Sequence, residues 1–266
     1  MKRVILFLII GINLIAGIIK SPLLTYDEEK QIATIKVKSV DLGMSGFVVH
    51  NIAPNHNSIL KSIVVTAFDK ESQIATLHLN DYEGLRNNAL PTGRWKISVG
   101  DSAILAFGYT RALLIAPTEE IYYRISKSVK IQWLHPDIFA TILSFQGHPT
   151  PLKEDFDLMS NASSVGLIFM YIENRVYTID SKSFAILSIS DAPLPQDKLV
   201  LPFYTRIQNI DEAWWGEGSD PLEEYEPHYY ELLVTHNKQN QKLYNIIEKS
   251  DKKLHFLLDD FELGDK

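Results

Sequence analysis

The chain has 266 residues, 45% of them hydrophobic and 22% charged, with no cysteine and a formal charge of −7. That is an ordinary globular composition. It excludes disulfides, thiolate metal sites and a lipid-modified N-terminal cysteine. An acidic body argues against DNA or RNA as the main partner, because phosphate binding needs a basic footprint.

In chain order, Met1-Lys2-Arg3 is followed by an apolar run from Val4 to Ile19 with Asn13 as its one polar residue. A basic start and an apolar stretch make the export pattern. Sixteen residues at 1.5 Å each reach about 24 Å, short of the ~30 Å hydrocarbon core. Bulky Leu14 and Ile15 precede Ala16-Gly17, which makes a poor cleavage site. Residues 1–20 therefore read as a signal peptide or a retained N-terminal anchor. The protein is expected to be exported, to the cell surface, outer membrane or periplasm.

Residues 30–108 read as a β subdomain. Ser62 to Phe68 is β-branched and aromatic, Asp69-Lys70-Glu71-Ser72 is a polar turn, and Ala75 to Leu79 alternates apolar and polar. Trp95 to Val99 and Ala103 to Phe107 read as two further strands around Gly100-Asp101. Several short strands with such turns predict a small, SH3-like barrel.

Residues 109–236 change period and read as α+β. Ala112 to Ile115 is a buried strand, and Pro117 opens a helix with Glu119 and Glu120 in its first turn. Ile131 to Leu134 is a strand. Pro136-Asp137 opens a second helix with Ile138, Phe139, Ile142 and Leu143 on one face, closed by Gly147. Val165–Tyr171, Val176–Ile179 and Phe184–Ile189 form an antiparallel group with a turn at Glu173-Asn174.

From Ile207 to Asn237 there are eight acids and no Lys or Arg, with Trp214, Trp215, Tyr225, Tyr229 and Tyr230 among them. Two readings stand for this stretch. Either the aromatics are core and the acids solvated loop, or the aromatics bind a cationic or apolar partner. Residues 237–266 form a Lys-bearing amphipathic tail, helical by the spacing of Leu243, Ile247, Leu254, Leu257, Leu258 and Phe261.

Catalytic motifs do not rise above background. HExxH, GxSxG, GxxxxGK and GxGxxG are all missing. His228 and His236 lie two helical turns apart, a weak zinc cue. No enzyme activity, cofactor or metal is expected.

Several short stretches carry a resemblance. They are Gly46-Phe47-Val48-Val49, Leu90-Pro91-Thr92 with Arg94, Gly100-Asp101, Leu114-Ile115-Ala116-Pro117 with Glu120 and Tyr122, Val165-Gly166-Leu167-Ile168, and Phe203-Tyr204 with Arg206 and Asp211. In this order and spacing the chain resembles, over about Ile32 to Thr235, the N-terminal domain of the plasminogen-binding surface proteins of Helicobacter-type bacteria. The resemblance implies a non-catalytic, surface-associated protein that captures host plasminogen, through its kringle domains, by way of lysine. Family members carry a long Lys/Glu-rich tail ending in Lys, which has no counterpart in this sequence. The candidate partner-binding residues are then Lys266, Lys252 and Lys253. The alternative is a structural component of a periplasmic or envelope assembly, with an envelope protein as partner. A third class, a hydrolase, needs two carboxylates converging in a cleft.

Overall fold

The computed structural model describes residues 17–53, 56–82, 95–195 and 198–264. Residues 1–16, Leu90-Pro91-Thr92, Arg94 and Lys266 lie outside them. The chain divides into two compact units at Tyr109/Thr110.

The first unit is a closed antiparallel barrel of six strands. They are β1 (Ile19–Asp27), β2 (Ile32–Lys36), β3 (Ser45–Ala53), β4 (His56–Asp69), β5 (Ile74–Asp81) and β6 (Ser102–Leu105), paired in the order β1-β2-β5-β4-β3-β6. β6 pairs back onto β1 and so leaves no edge. Alternate side chains fill the interior, among them Leu23, Ile35, Val48, Ile63, Val65, Leu77 and Leu105. Ile19 and Lys20, counted above with the leader, are the first residues of β1 and face Leu105 and Ile104.

Two hairpins use the same device. Asp27 Oδ1 accepts the N–H groups of Glu29 and Lys30, and Asp69 Oδ1 accepts that of Glu71. Each loop then ends on a glutamine at positive φ, Gln31 at 52° and Gln73 at 58°. The turn read at Asp69 to Ser72 thus has its mechanism in the aspartate side chain.

The strand expected at Trp95 to Val99 is not formed. Asp101 Oδ2 accepts the Ser98 N–H at 2.8 Å, the Asp101 N–H donates to the Ser98 carbonyl, and Gly100 takes φ 96°. These bonds build a tight turn where the apolar alternation alone suggests a strand.

The second unit holds a five-stranded sheet in the order β11-β10-β9-β7-β8. The strands are β7 (Arg111–Ile115), β8 (Gln132–Leu134), β9 (Leu167–Ile172), β10 (Arg175–Asp180) and β11 (Ile186–Asp191). β7 runs parallel to both neighbours, whereas β9, β10 and β11 form an antiparallel meander. The β9–β10 turn is Glu173-Asn174, with φ 45° and 63°. Both residues at positive φ match the two-residue turn that follows strand twist.

Helix α1 (Glu119–Ser128) crosses from β7 to β8, and α2 (Pro136–Gln146) with α3 (Lys153–Ser163) crosses back from β8 to β9. Right-handed crossovers in opposite directions lie on opposite sheet faces. Core packing agrees. Leu113, Leu134, Ile168 and Met170 share a cluster with Phe139 and Leu143 of α2. Trp133 instead packs on Phe169 and donates its indole N–H to Ser126 and Val129 at the end of α1.

Sequence and structure differ at several helices. Thr118 caps α1, so the helix opens at Glu119 rather than Pro117. On α2 the buried side is Phe139, Ala140 and Leu143, while Ile138 is exposed. α3 has no sequence signal, because its inward positions mix Asp155 and Ser160 with Phe156 and Met159. Both polar groups are satisfied: Asp155 by the Leu152 N–H and His148, Ser160 by the Val165 carbonyl and Ser181. An apolar stripe is therefore missing although the helix is core.

The same core receives α4 (Tyr225–His236), α5 (Gln241–Ile247) and a 3-10 helix (Lys252–Asp260). Leu243, Ile247, Leu254 and Leu257 are fully buried, so the amphipathic tail docks on the body. Tyr225, Tyr229 and Tyr230 are buried too and donate to the Tyr171 carbonyl, the Pro202 carbonyl and Glu173. His228 bonds the Pro151 carbonyl and His236 lies against Phe184, which accounts for the pair without a metal.

These tyrosines predict alkaline behaviour. Burial pushes the Tyr177 phenol up to about 12 and raises Tyr225, Tyr229 and Tyr230 well above the ordinary range. A folded-state pKa above the unfolded value of about 10 gives stability that is complete below that pH and lost above it. Each such tyrosine removes about 1.4 kcal/mol per pH unit between its unfolded and folded values. Phenolate absorbance of the buried set should appear together with loss of near-ultraviolet circular dichroism above about pH 10. Ionisation of all twelve tyrosines in a still folded protein would contradict it.

Candidate binding surface

A long segment, residues 198–222, follows β11 and runs along α2 from its start to its end. It begins at the carboxyl ends of β7 and β8. The N–H groups of Val200 and Tyr204 donate to the carbonyls of Pro117 and Ala116, at 2.8 and 2.7 Å. Phe203 between them is buried and stacks on Phe139, with centroids 5.4 Å apart.

Tyr204 lies against Tyr122 and His135, and its hydroxyl donates to Glu119 Oε1 at 3.0 Å. Burial and the Glu119 carboxylate raise its pKa. Asp137, at the start of α2, is the clamp of this segment. Its Oδ1 accepts from Thr205 Oγ1 and the Arg206 N–H, both at 2.8 Å, and its Oδ2 accepts from the Arg206 guanidinium at 2.7 Å. Burial alone pushes Asp137 up, but the hydrogen bonds from Arg206 and Thr205 outweigh it and hold the carboxyl below its usual range.

His135 Nδ1 accepts the Asp137 N–H at 3.2 Å as the helix cap. The same Nδ1 lies 3.1 Å from Asp137 Oδ1. The cluster holds the segment in place with its polar atoms paired to one another.

Farther on, the Asp211 N–H donates to Ser144 Oγ at 2.8 Å and the Ala213 N–H to the Gly147 carbonyl at 2.9 Å. Gly147 caps α2 at φ 73°, and a Cβ there would meet Ala213 at 2.6 Å, so both conformation and space demand glycine. Past the tip, the Thr150 N–H donates to the Gly218 carbonyl and Thr150 Oγ1 to that of Asp220.

Between these anchors stand Trp214 and Trp215, 97% and 81% exposed. The acidic aromatic stretch therefore splits: its tyrosines are core, and its tryptophans are surface. Exposed Asp211, Glu212, Glu217, Asp220 and Glu223 surround the pair in sequence.

The lysines read from the sequence lie elsewhere in this unit. Lys252 and Lys253 open the 3-10 helix and are exposed. Lys253 Nζ sits 3.0 Å from Glu224 Oε2, and its N–H donates to Asp251. Lys266 lies outside the described residues. A cleft of 810 Å³ between the β9–β10 turn and α5 is lined by Glu173, Arg175, Asp191, Lys249 and Asp251. Arg175 and Asp191 pair across it at 3.5 Å, so these two charges offset each other.

A family model described as the N-terminal region of plasminogen-binding protein pgbA matches residues 18–233. The chain belongs to this family. Two curated relatives, both named plasminogen-binding protein PgbA and from two Helicobacter pylori strains, are 26% identical over 221 residues. The alignment covers 81% of this chain and 47% of each relative, so the chain spans about half their length. No solved structure matches.

The match bears out the family resemblance read from the sequence. Two of the stretches behind it, Leu114 to Tyr122 and Phe203 to Arg206, meet at the carboxyl ends of β7 and β8 in this pgbA-type domain. Sequence reasoning missed the partner of the second stretch, Asp137. Its position at a helix start was legible, but its grip on Arg206, 69 residues away, was not.

Proposed function

We propose that this chain is a non-catalytic binding protein of the bacterial envelope that captures host plasminogen through lysine. The observation that carries the reading is the family match over residues 18–233, with relatives named for plasminogen binding. The basic start and the apolar run from Val4 to Ile19 support export and an envelope location.

Kringle lysine sites hold an ammonium on carboxylates, a carboxylate on basic groups and the methylene stem on an aromatic wall. Lys252 and Lys253 beside Asp251 present both charges from an exposed helix start. Lys253 must leave Glu224 to take part, a small cost for an exposed pair.

Immobilised plasminogen, titrated with the purified chain in the presence and absence of free lysine, tests this. Binding should be competed by lysine, and Lys252→Ala with Lys253→Ala should weaken it about tenfold or more. Unchanged affinity in that variant, followed by loss on carboxypeptidase treatment, moves the site to Lys266. Binding indifferent to lysine ends the lysine-dependent reading.

A further inference from the structure

We infer that the Trp214–Trp215 tip is a docking surface for a lysine- or arginine-rich segment of another polypeptide, independent of plasminogen capture. The first support is exposure. Two adjacent indoles at 97% and 81% leave apolar surface in water that folding has every reason to bury. Phe145, two residues before Gly147 on the last turn of α2, is 83% exposed at the same end. Three aromatic side chains thus leave one corner of the second unit.

Rigidity is the second support. The tip is pinned before Trp214 by the Ala213–Gly147 bond and after Trp215 by bonds at Gly218 and Asp220. Ser219 Oγ donates to the Gly216 carbonyl at 2.6 Å and closes the turn. Gly216 at φ 121° and Gly218 at φ 80° supply backbone that other residues resist. A surface held in its binding form loses little entropy on association.

Charge decides the occupant. Exposed Asp211, Glu212, Glu217, Asp220 and Glu223 flank the indoles, and no Lys or Arg occurs from Ile207 to Asn237. The base that precedes this stretch in the chain, Arg206, is paired with Asp137, and Lys153, which follows the Leu152 that lines Gly218, is paired with Asp157. Such a field repels nucleic acid and anionic lipid and draws cations. A lysine or arginine brings an ammonium or guanidinium to the indole face and a methylene stem to cover it, while the acids raise the encounter rate.

Oligolysine, oligoglutamate and a neutral leucine–serine peptide, each titrated into the purified full chain by calorimetry, form the test. Oligolysine should bind, more weakly as salt rises, and oligoglutamate should not. The double variant W214A/W215A should lose about tenfold in affinity. Its melting temperature should stay that of the parent, since both side chains are solvent-exposed. Lysine-competed plasminogen binding should survive in the variant, which separates this surface from Lys252 and Lys253. Oligolysine affinity unchanged by the double substitution overturns the proposal. So does equal binding of the neutral peptide, which would make the corner a plain apolar contact.

Discussion

Alanine at Gly46 should strongly destabilise the barrel, with a loss of about 3 kcal/mol or more. A Cβ there would lie 2.1 Å from the Ile104 carbonyl oxygen and 2.9 Å from Leu105 Cα. Both atoms are backbone, in a strand paired on one side with β1 and on the other with β3. No side chain can swing aside. Relief requires β3 to part from β6, which opens the cylinder and exposes the buried row of Val48, Ala103 and Leu105. Since a domain keeps only about 5–15 kcal/mol in all, such a loss is a large part of the whole. Urea denaturation checks it against Gly17→Ala, whose Cβ meets nothing within 4 Å and should be near neutral. Equal midpoints for the two variants would contradict the argument.

Truncation of Phe203 to alanine should cost about 3–5 kcal/mol. Phe203 stacks on Phe139, Phe139 meets Phe156 at a tilt with centroids 4.6 Å apart, and Phe156 meets Phe184 at 5.5 Å, so the ring ends a continuous aromatic row. Its removal leaves a cavity that neighbours tied into helices and strands fill poorly. The change also loosens the segment that clamps onto Asp137 and carries the tryptophan tip. Oligolysine binding should therefore weaken with stability, although Phe203 is buried far from solvent. Phe203→Leu, which keeps most of the volume, should cost under about 1.5 kcal/mol. An alanine variant within about 1 kcal/mol of the parent would show that the row does not anchor the segment.

Local chemistry made part of this legible in advance. Asp69, Glu173-Asn174 and Gly147 act within a few residues of themselves, and turns and caps are decided at that range. Alternation revealed the strands that bury one face. Signals failed where two local preferences competed. Trp95 to Val99 has the alternation of a strand, but Asp101 captures Ser98 and turns the chain. α3 has buried polar residues in place of an apolar stripe. Trp214 and Trp215 look like Tyr225 and Tyr229 in composition, yet one pair is outside and the other inside. That choice depends on which wall of the core each segment meets.

By itself, then, the sequence determined the acidic, cysteine-free character of the chain, its division into a β part and an α+β part, and its family. All of these rest on composition, period and short motifs, which are properties of neighbours in the chain. The tertiary structure alone decided that six strands close on themselves and that Asp137 grips Arg206. It also decided that the tail lysines sit on a docked helix and that two tryptophans stand pinned among acids. Each depends on residues tens of positions apart meeting at hydrogen-bond distance, and only the packed core sets which of them meet.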